Sequence, residues 1–168
     1  DGEPYYYFYY VKEVDAPAGF TVSYEGNNGT GQSIIIKNIK DYFPMSFKKV
    51  DSTNNAKVLE GAVFSLYKDE DCEQIVEFYK DENMQQATTS FTTDSNGTFT
   101  AYGLKAGTYY LKEVSAPSGY YLIDHPLKVT MDLQGKITVD EKDKDTIRVL
   151  IENSNATDII GVKDSPVY

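Results

Sequence analysis

A chain of 168 residues can hold one large domain, or one complete domain and part of another. Its net charge of −10 and pI near 4.5 argue against nucleic acid as a partner, because phosphate binding needs a basic stripe and none is visible. No apolar run approaches the roughly 18 residues of a membrane span, and the single cysteine, Cys72, excludes an internal disulfide.

The residues prominent in the apolar set are Val, Ile, Tyr and Phe, with 15 Tyr and no Trp, and Gly and Pro punctuate short runs. That mix predicts an all-β sandwich or barrel. In chain order, the first feature is YVKEVDAPAGF at residues 10–20, followed by SIIIKN, a strand pattern closing at Asn38. The same block returns as YLKEVSAPSGY at residues 110–120, with seven of eleven positions identical and the glutamates Glu13 and Glu113 in register. Only twelve residues precede Glu13, whereas a full set of strand patterns precedes Glu113. Residues 1–43 are therefore expected to be the C-terminal half of a domain, with the boundary at the DYFP break. Residues 44–158 are expected to be a complete domain, and 159–168 a linker or the start of a following one.

Within the complete copy, strands are predicted at 46–50 and 62–67. A turn follows at Asp94-Ser95-Asn96-Gly97, then a strand at TFTAY and another at TYYLKEV. Residues 126–131 and 136–139 form a hairpin pattern, and 147–152 is expected to be the final strand. The stretch 70–86 fits either a short helix or strands.

Alternation along a strand places residues two apart on one face. Lys49 then sides with Phe47, Glu113 with Tyr109 and Leu111, and Asn153 with Val149 and Ile151, so all three face the core. Burying an unpaired amine or carboxylate costs several kcal/mol. An apolar setting favours the neutral amine and the protonated carboxyl. A neutral Lys49 is a nucleophile, and a protonated Glu113 can polarise the Asn153 amide and shuttle protons as ammonia leaves. Each residue also has an ordinary reading: a solvated lysine, a surface glutamate, a turn asparagine. Taken singly, those readings are the better ones.

The motifs KKVDSTNNAKVLEGAVFSLY, TTDSNGTFTAYGLKAGTYYLKEVSAPSGYYL and RVLIEN, spread over residues 44–153, resemble CnaB-type (collagen-adhesin B region) domains of Gram-positive adhesins and pilins. The resemblance implies an Ig-like/prealbumin-like β-sandwich. It also implies a Lys–Asn isopeptide bond, with Lys49 and Asn153 as the joined residues and Glu113 as the assisting acid. Lys48 and Asn155 are the substitutes under a shifted register. In the N-terminal copy the matching residues are Glu13 and Asn38, without a lysine strand before them.

The function expected on this basis is structural: a segment of a cell-wall-anchored pilin or adhesin on the surface of a Gram-positive bacterium, not a turnover enzyme. Its partners are neighbouring domains or pilus subunits. The alternative is the ligand-binding part of a tip adhesin, recognising a host matrix protein or glycan. No cofactor or metal is called for. Cys72 lies in an acidic stretch that dulls a thiol, His125 lacks companion ligands in sequence, and the sequons at Asn28, Asn96 and Asn155 read as incidental.

Overall fold

A computed structural model describes residues 2, 7–17, 19–27, 29, 33–144, 146–151 and 159–167. The chain divides into two compact units, Asp1–Asp41 and Tyr42–Tyr168.

The first unit holds one antiparallel hairpin, β1 (Phe20–Glu25) with β2 (Ile35–Lys40), in the register Val22↔Asn38. Its apolar side chains stay largely uncovered: Tyr7, Phe8, Tyr9, Tyr10, Val14, Phe20, Ile35, Ile36 and Ile39 are all exposed.

The second unit is a two-sheet sandwich. Its strands are β3 (Phe43–Asp51), β4 (Val63–Tyr67), β5 (Phe78–Tyr79), β6 (Ala87–Thr88), β7 (Phe91–Thr92), β8 (Thr98–Leu104), β9 (Gly107–Ser115), β10 (Leu127–Met131), β11 (Ile137–Val139), β12 (Ile147–Ile151) and β13 (Ile159–Asp164). One sheet runs β11-β10-β9-β4-β7 and the other β12-β13-β3-β8-β5-β6. The all-β sandwich expected from composition is the observed architecture. Alternation sets its core: Phe43, Met45 and Phe47 of β3 and Tyr109 and Leu111 of β9 turn inward. They meet an aromatic stack in which Phe91 lies 4.4 Å from Phe99, 5.0 Å from Phe47 and 5.3 Å from Phe64, ring centre to ring centre.

One element differs from the sequence expectation. Residues 159–168 are not the linker or lead-in foreseen. Ile159–Asp164 forms β13, which pairs in parallel with β3 and antiparallel with β12, and buries Ile160 and Val162. A parallel partner to the opening strand cannot be read from local pattern, because it needs a long-range crossover. The β12 strand is therefore not the last.

The ambiguous stretch 70–86 forms no helix. Lys68–Gln74 (KDEDCEQ) and Lys80–Gln86 (KDENMQQ) are two loops of one design, flanking the short β5. In each, the aspartate carboxylate accepts backbone N–H bonds from the residues four and five positions on. Asp69 takes Glu73 and Gln74 at 3.1 and 2.8 Å, and Asp81 takes Gln85 and Gln86 at 3.1 and 2.7 Å. In each, the lysine N–H donates to the closing glutamine carbonyl at 2.9 Å. Cys72 and Met84 occupy the same left-handed position, at φ 56° and 54°. An aspartate that serves backbone donors competes directly with helix formation.

Candidate functional site

The site begins with β3, whose alternation sends Lys49 into the core at 1% exposure. Its backbone is fixed from both sides, with the Lys49 N–H donating to Gly97 O and the Lys49 carbonyl accepting from Leu59 N. Gly97 sits at φ 71°, where a Cβ would stand 2.7 Å from the Lys49 carbonyl oxygen. The Asp94-Ser95-Asn96-Gly97 turn therefore holds the lysine strand by close backbone approach. The Lys49 ammonium lies 5.4 Å from the centre of the Phe64 ring.

Across the sandwich, β9 brings Glu113 to the same point, with Oε1 3.4 Å from Lys49 Nζ. Glu113 Oε2 accepts the Ile123 N–H at 2.9 Å. The third member is Asp164, the last residue of β13, whose Oδ1 is in direct contact with Lys49 Nζ. The parallel register pairs Val162 with Lys49, so Asp164, two residues on, shares the inward face. Lys49, Glu113 and Asp164 are all buried.

Two of the three residues picked by strand parity, Lys49 and Glu113, are thus adjacent. The third, Asn153, and its substitute Asn155 lie outside the described residues; the carboxyl group that the structure places against Lys49 belongs to Asp164. A signal for Asp164 does exist in the sequence. The apolar-rich run IIIKN ending at Asn38 has its better counterpart in IGVKD ending at Asp164. The structure reproduces that equivalence outside the motif. In both copies the A-P-x-G turn closes by an N–H to proline carbonyl bond of 3.1 Å, Phe20 to Pro17 and Tyr120 to Pro117. The turn glycine carbonyl then accepts from the residue three beyond the acceptor position: Asp41 N–H to Gly19 O at 2.9 Å, and Val167 N–H to Gly119 O at 2.7 Å. Phe20 pairs with Lys40, and Tyr120 with Pro166, again at matching offsets.

In the first unit the expected pair also meets. The Asn38 side-chain amide donates to Glu13 Oε1 at 3.4 Å, and the Glu13 N–H donates to the Tyr24 hydroxyl at 2.8 Å.

The electrostatics of the buried site are those of a cluster short of protons. Burial, opposed by the neighbouring Lys49 and the Ile123 N–H and reinforced by Asp164, pushes the Glu113 carboxyl up to about 7. Burial raises Asp164 as well, with Lys49 pulling it back. Glu113 Oε1 and Asp164 Oδ2 are buried without a hydrogen-bond partner. A proton held on Glu113 and directed at Asp164 supplies the missing donor.

Elsewhere, His125 is flanked by carboxylates, at 2.7 Å from Asp124 and 2.8 Å from the buried Asp143. Among the described residues no cluster of His, Cys, Asp and Glu could hold a metal ion. Desolvation and the nearby Asp69 and Asp71 raise the Cys72 thiol, against the opposing pull of Lys112. No described helix is long and apolar enough to cross a membrane.

With this geometry in hand, comparison with known proteins defines the class. The SpaA family, described as a prealbumin-like fold domain, matches residues 43–157. The chain belongs to this family. The fold is also that of solved Gram-positive pilins. The pilus 2b backbone protein of group B streptococcus is 26% identical with a TM-score of 0.58, over 92% of this chain and 52% of that one. The full-length major pilin RrgB of Streptococcus pneumoniae is 18% identical with a TM-score of 0.52, over 89% of this chain and 37% of that one. The chain thus spans about half or less of the length of these structures. No curated protein matches it.

Proposed function

We propose that this chain is a structural segment of a pilus or related surface adhesin of a Gram-positive bacterium, displayed outside the cell. In this reading its second unit locks itself with an isopeptide bond between Lys49 and Asp164. The observation that carries the proposal is the contact of the Lys49 amine with the Asp164 carboxyl, with Glu113 beside Lys49 in a buried site.

The chemistry balances within the three side chains. A proton passes from the Lys49 ammonium to Asp164, leaving a neutral amine and a neutral carboxylic acid. Lys49 Nζ attacks Asp164 Cγ, and Glu113 receives the proton the amine sheds and returns one to the departing hydroxyl. One C–N bond forms, one C–O bond breaks, and one water leaves. Holding amine and carboxyl in contact supplies the effective molarity that dilute reactants lack, on the order of 10⁵–10⁸ M for well-oriented groups. The product removes a buried ion pair whose desolvation was costly. It ties β3, the opening strand of the unit, to β13, its closing strand.

Asp164 replaces Asn153 as the acceptor, and the two assignments differ in what leaves. The test is the intact mass of the purified chain. A deficit of one water, lost in Lys49→Ala, Asp164→Ala and Glu113→Ala and retained in Asn153→Ala, is expected. A deficit of one ammonia that disappears in Asn153→Ala would return the acceptor to Asn153, and an undiminished mass would remove the bond altogether.

A further inference from the structure

The chain segments that follow Lys49, Glu113 and Asp164 are tied to one another, and one of the ties is a single side-chain hydrogen bond. We infer that Tyr120, through its bond to Asp51, is a positioning residue for the reaction of Lys49 with Asp164. The bond holds the end of β3 against the strand that delivers the acceptor carboxyl. This rests on the proposed Lys49–Asp164 bond and adds the group that sets its geometry.

Two of the ties are made by the backbone. Beyond Glu113, residues 119–121 meet residues 165–167, which follow Asp164 directly. The Tyr121 N–H donates to Ser165 O at 3.0 Å, the Val167 N–H donates to Gly119 O at 2.7 Å, and Tyr120 bridges to Pro166. Beyond Lys49, Asp51 is the register partner of Asp164, and the Ser52 N–H donates to the Asp164 carbonyl at 2.8 Å. Side chains make the third tie, where the Tyr120 hydroxyl donates to Asp51 Oδ2 at 2.8 Å. Asp51 is itself buried, and its Oδ1 accepts both the N–H and the hydroxyl of Thr53 at 2.7 Å. The Lys57 ammonium stands 3.9 Å from Asp51 Oδ2 and 5.5 Å from the centre of the Tyr120 ring.

The arrangement answers two demands of the reaction. Asp164 ends β13, and strand ends are where pairing opens most readily. A tie from Tyr120 across to β3 restrains that opening. Asp51 also lies two residues from Lys49 on the same strand and opposite Asp164, so a free Asp51 carboxylate would compete for the ammonium. Donors from Thr53 and Tyr120 occupy both of its oxygens. Thr53 first, then Tyr120, lower the Asp51 carboxyl to about 2, so it stays an acceptor throughout the range in which Glu113 titrates.

In the test, the full chain is made unreacted by chemical synthesis and refolded, and its water loss is followed by intact mass. Circular dichroism confirms that each variant has folded. Tyr120→Phe removes one oxygen atom and is expected to slow the loss about 10-fold or more, with the pH midpoint still at about 7. Asp51→Ala should slow it similarly, and the double variant should be no slower than the slower single one. Asp81→Ala, a destabilising change in a loop outside the site, should react at the native rate. A native rate in Tyr120→Phe, equal slowing in Asp81→Ala, or multiplicative effects in the double variant would each overturn the inference. A native chain that loses no water removes the Lys49–Asp164 bond and the role of Tyr120 together. A native chain that loses water while Tyr120→Phe keeps pace removes the role of Tyr120 alone.

Discussion

Lys49, Glu113 and Asp164 form a buried cluster, and the reaction proposed for it depends on its proton count. The reactive composition holds one proton on Glu113 and one shared by Lys49 and Asp164, and is neutral overall. Glu113 is raised from 4.5 to about 7 chiefly by burial. Raising the pH through about 7 strips its proton and leaves the site with a net negative charge. For a carboxyl whose folded pKa lies above its unfolded one, the stabilising contribution is complete below the unfolded value and is lost as pH rises through the folded value. Crosslinking followed by mass after refolding is therefore expected to slow as pH rises from 6 to 8, with a midpoint at about 7. Glu113→Gln should flatten that dependence as well as lower the rate; an unchanged profile would remove Glu113 from the proton relay. Parity made Lys49 and Glu113 legible because each sits in a strand with clear alternation. Asp164 was obscured by a nearer apolar run ending in asparagine, RVLIEN, at the end of the strand now numbered β12.

At the scale of elements, the twin loops show how local chemistry decided a stretch whose pattern fitted either a short helix or strands. Asp69 and Asp81 each gather two backbone donors, and each loop then turns through a left-handed residue. Asp81→Ala leaves those donors without the carboxylate and is expected to cost ~1–2 kcal/mol, read as a shifted urea midpoint. Cys72→Gly acts in the opposite sense. A left-handed non-glycine residue costs roughly 1–2 kcal/mol, partly offset by the entropy that glycine loses on folding. A gain of several tenths of a kcal/mol is expected, and a loss of stability would mean that the Cys72 side chain contributes packing that outweighs its strain. Met84 does not offer the same gain, since its sulfur packs over Gly103. The repeat KDEDCEQ/KDENMQQ was present in the sequence, but a seven-residue loop pattern has no hydrophobic period to make it conspicuous.

For the whole molecule, an amide between Lys49 and Asp164 spans a separation of 115 residues, nearly the entire second unit. Closing a loop of that size restricts the unfolded chain by an amount comparable to a long-loop disulfide, ~5 kcal/mol. The proposed bond would provide the covalent restraint that a chain with one cysteine cannot obtain from an internal cystine. Glu113→Gln, which keeps Lys49 and Asp164 but blocks the reaction, should lower the melting temperature by roughly 15–25 °C. It should also render the second unit sensitive to trypsin at temperatures the crosslinked form survives. Equal melting of the two forms would mean the bond adds nothing to stability. Because the proposed tie would join adjacent parallel strands, tension applied at the two ends of this unit would load the amide before the sheet hydrogen bonds.

The sequence alone determined the all-β class, the duplicated block, the inward faces of β3 and β9, and hence Lys49 and Glu113. All of these follow from period-two alternation and turn chemistry, which act over a few residues. What only the tertiary structure decided was the partner of the opening strand. Placing β13 beside β3 depends on a crossover and on burial of Ile160 and Val162, neither of which has a local signature. That placement brings Asp164 against Lys49 and turns an expected linker into the closing strand of the domain. The same distinction holds for the first unit. Its motif was readable from the repeat, whereas the contact between Asn38 and Glu13, and the apolar face left open beside them, emerged only from the fold.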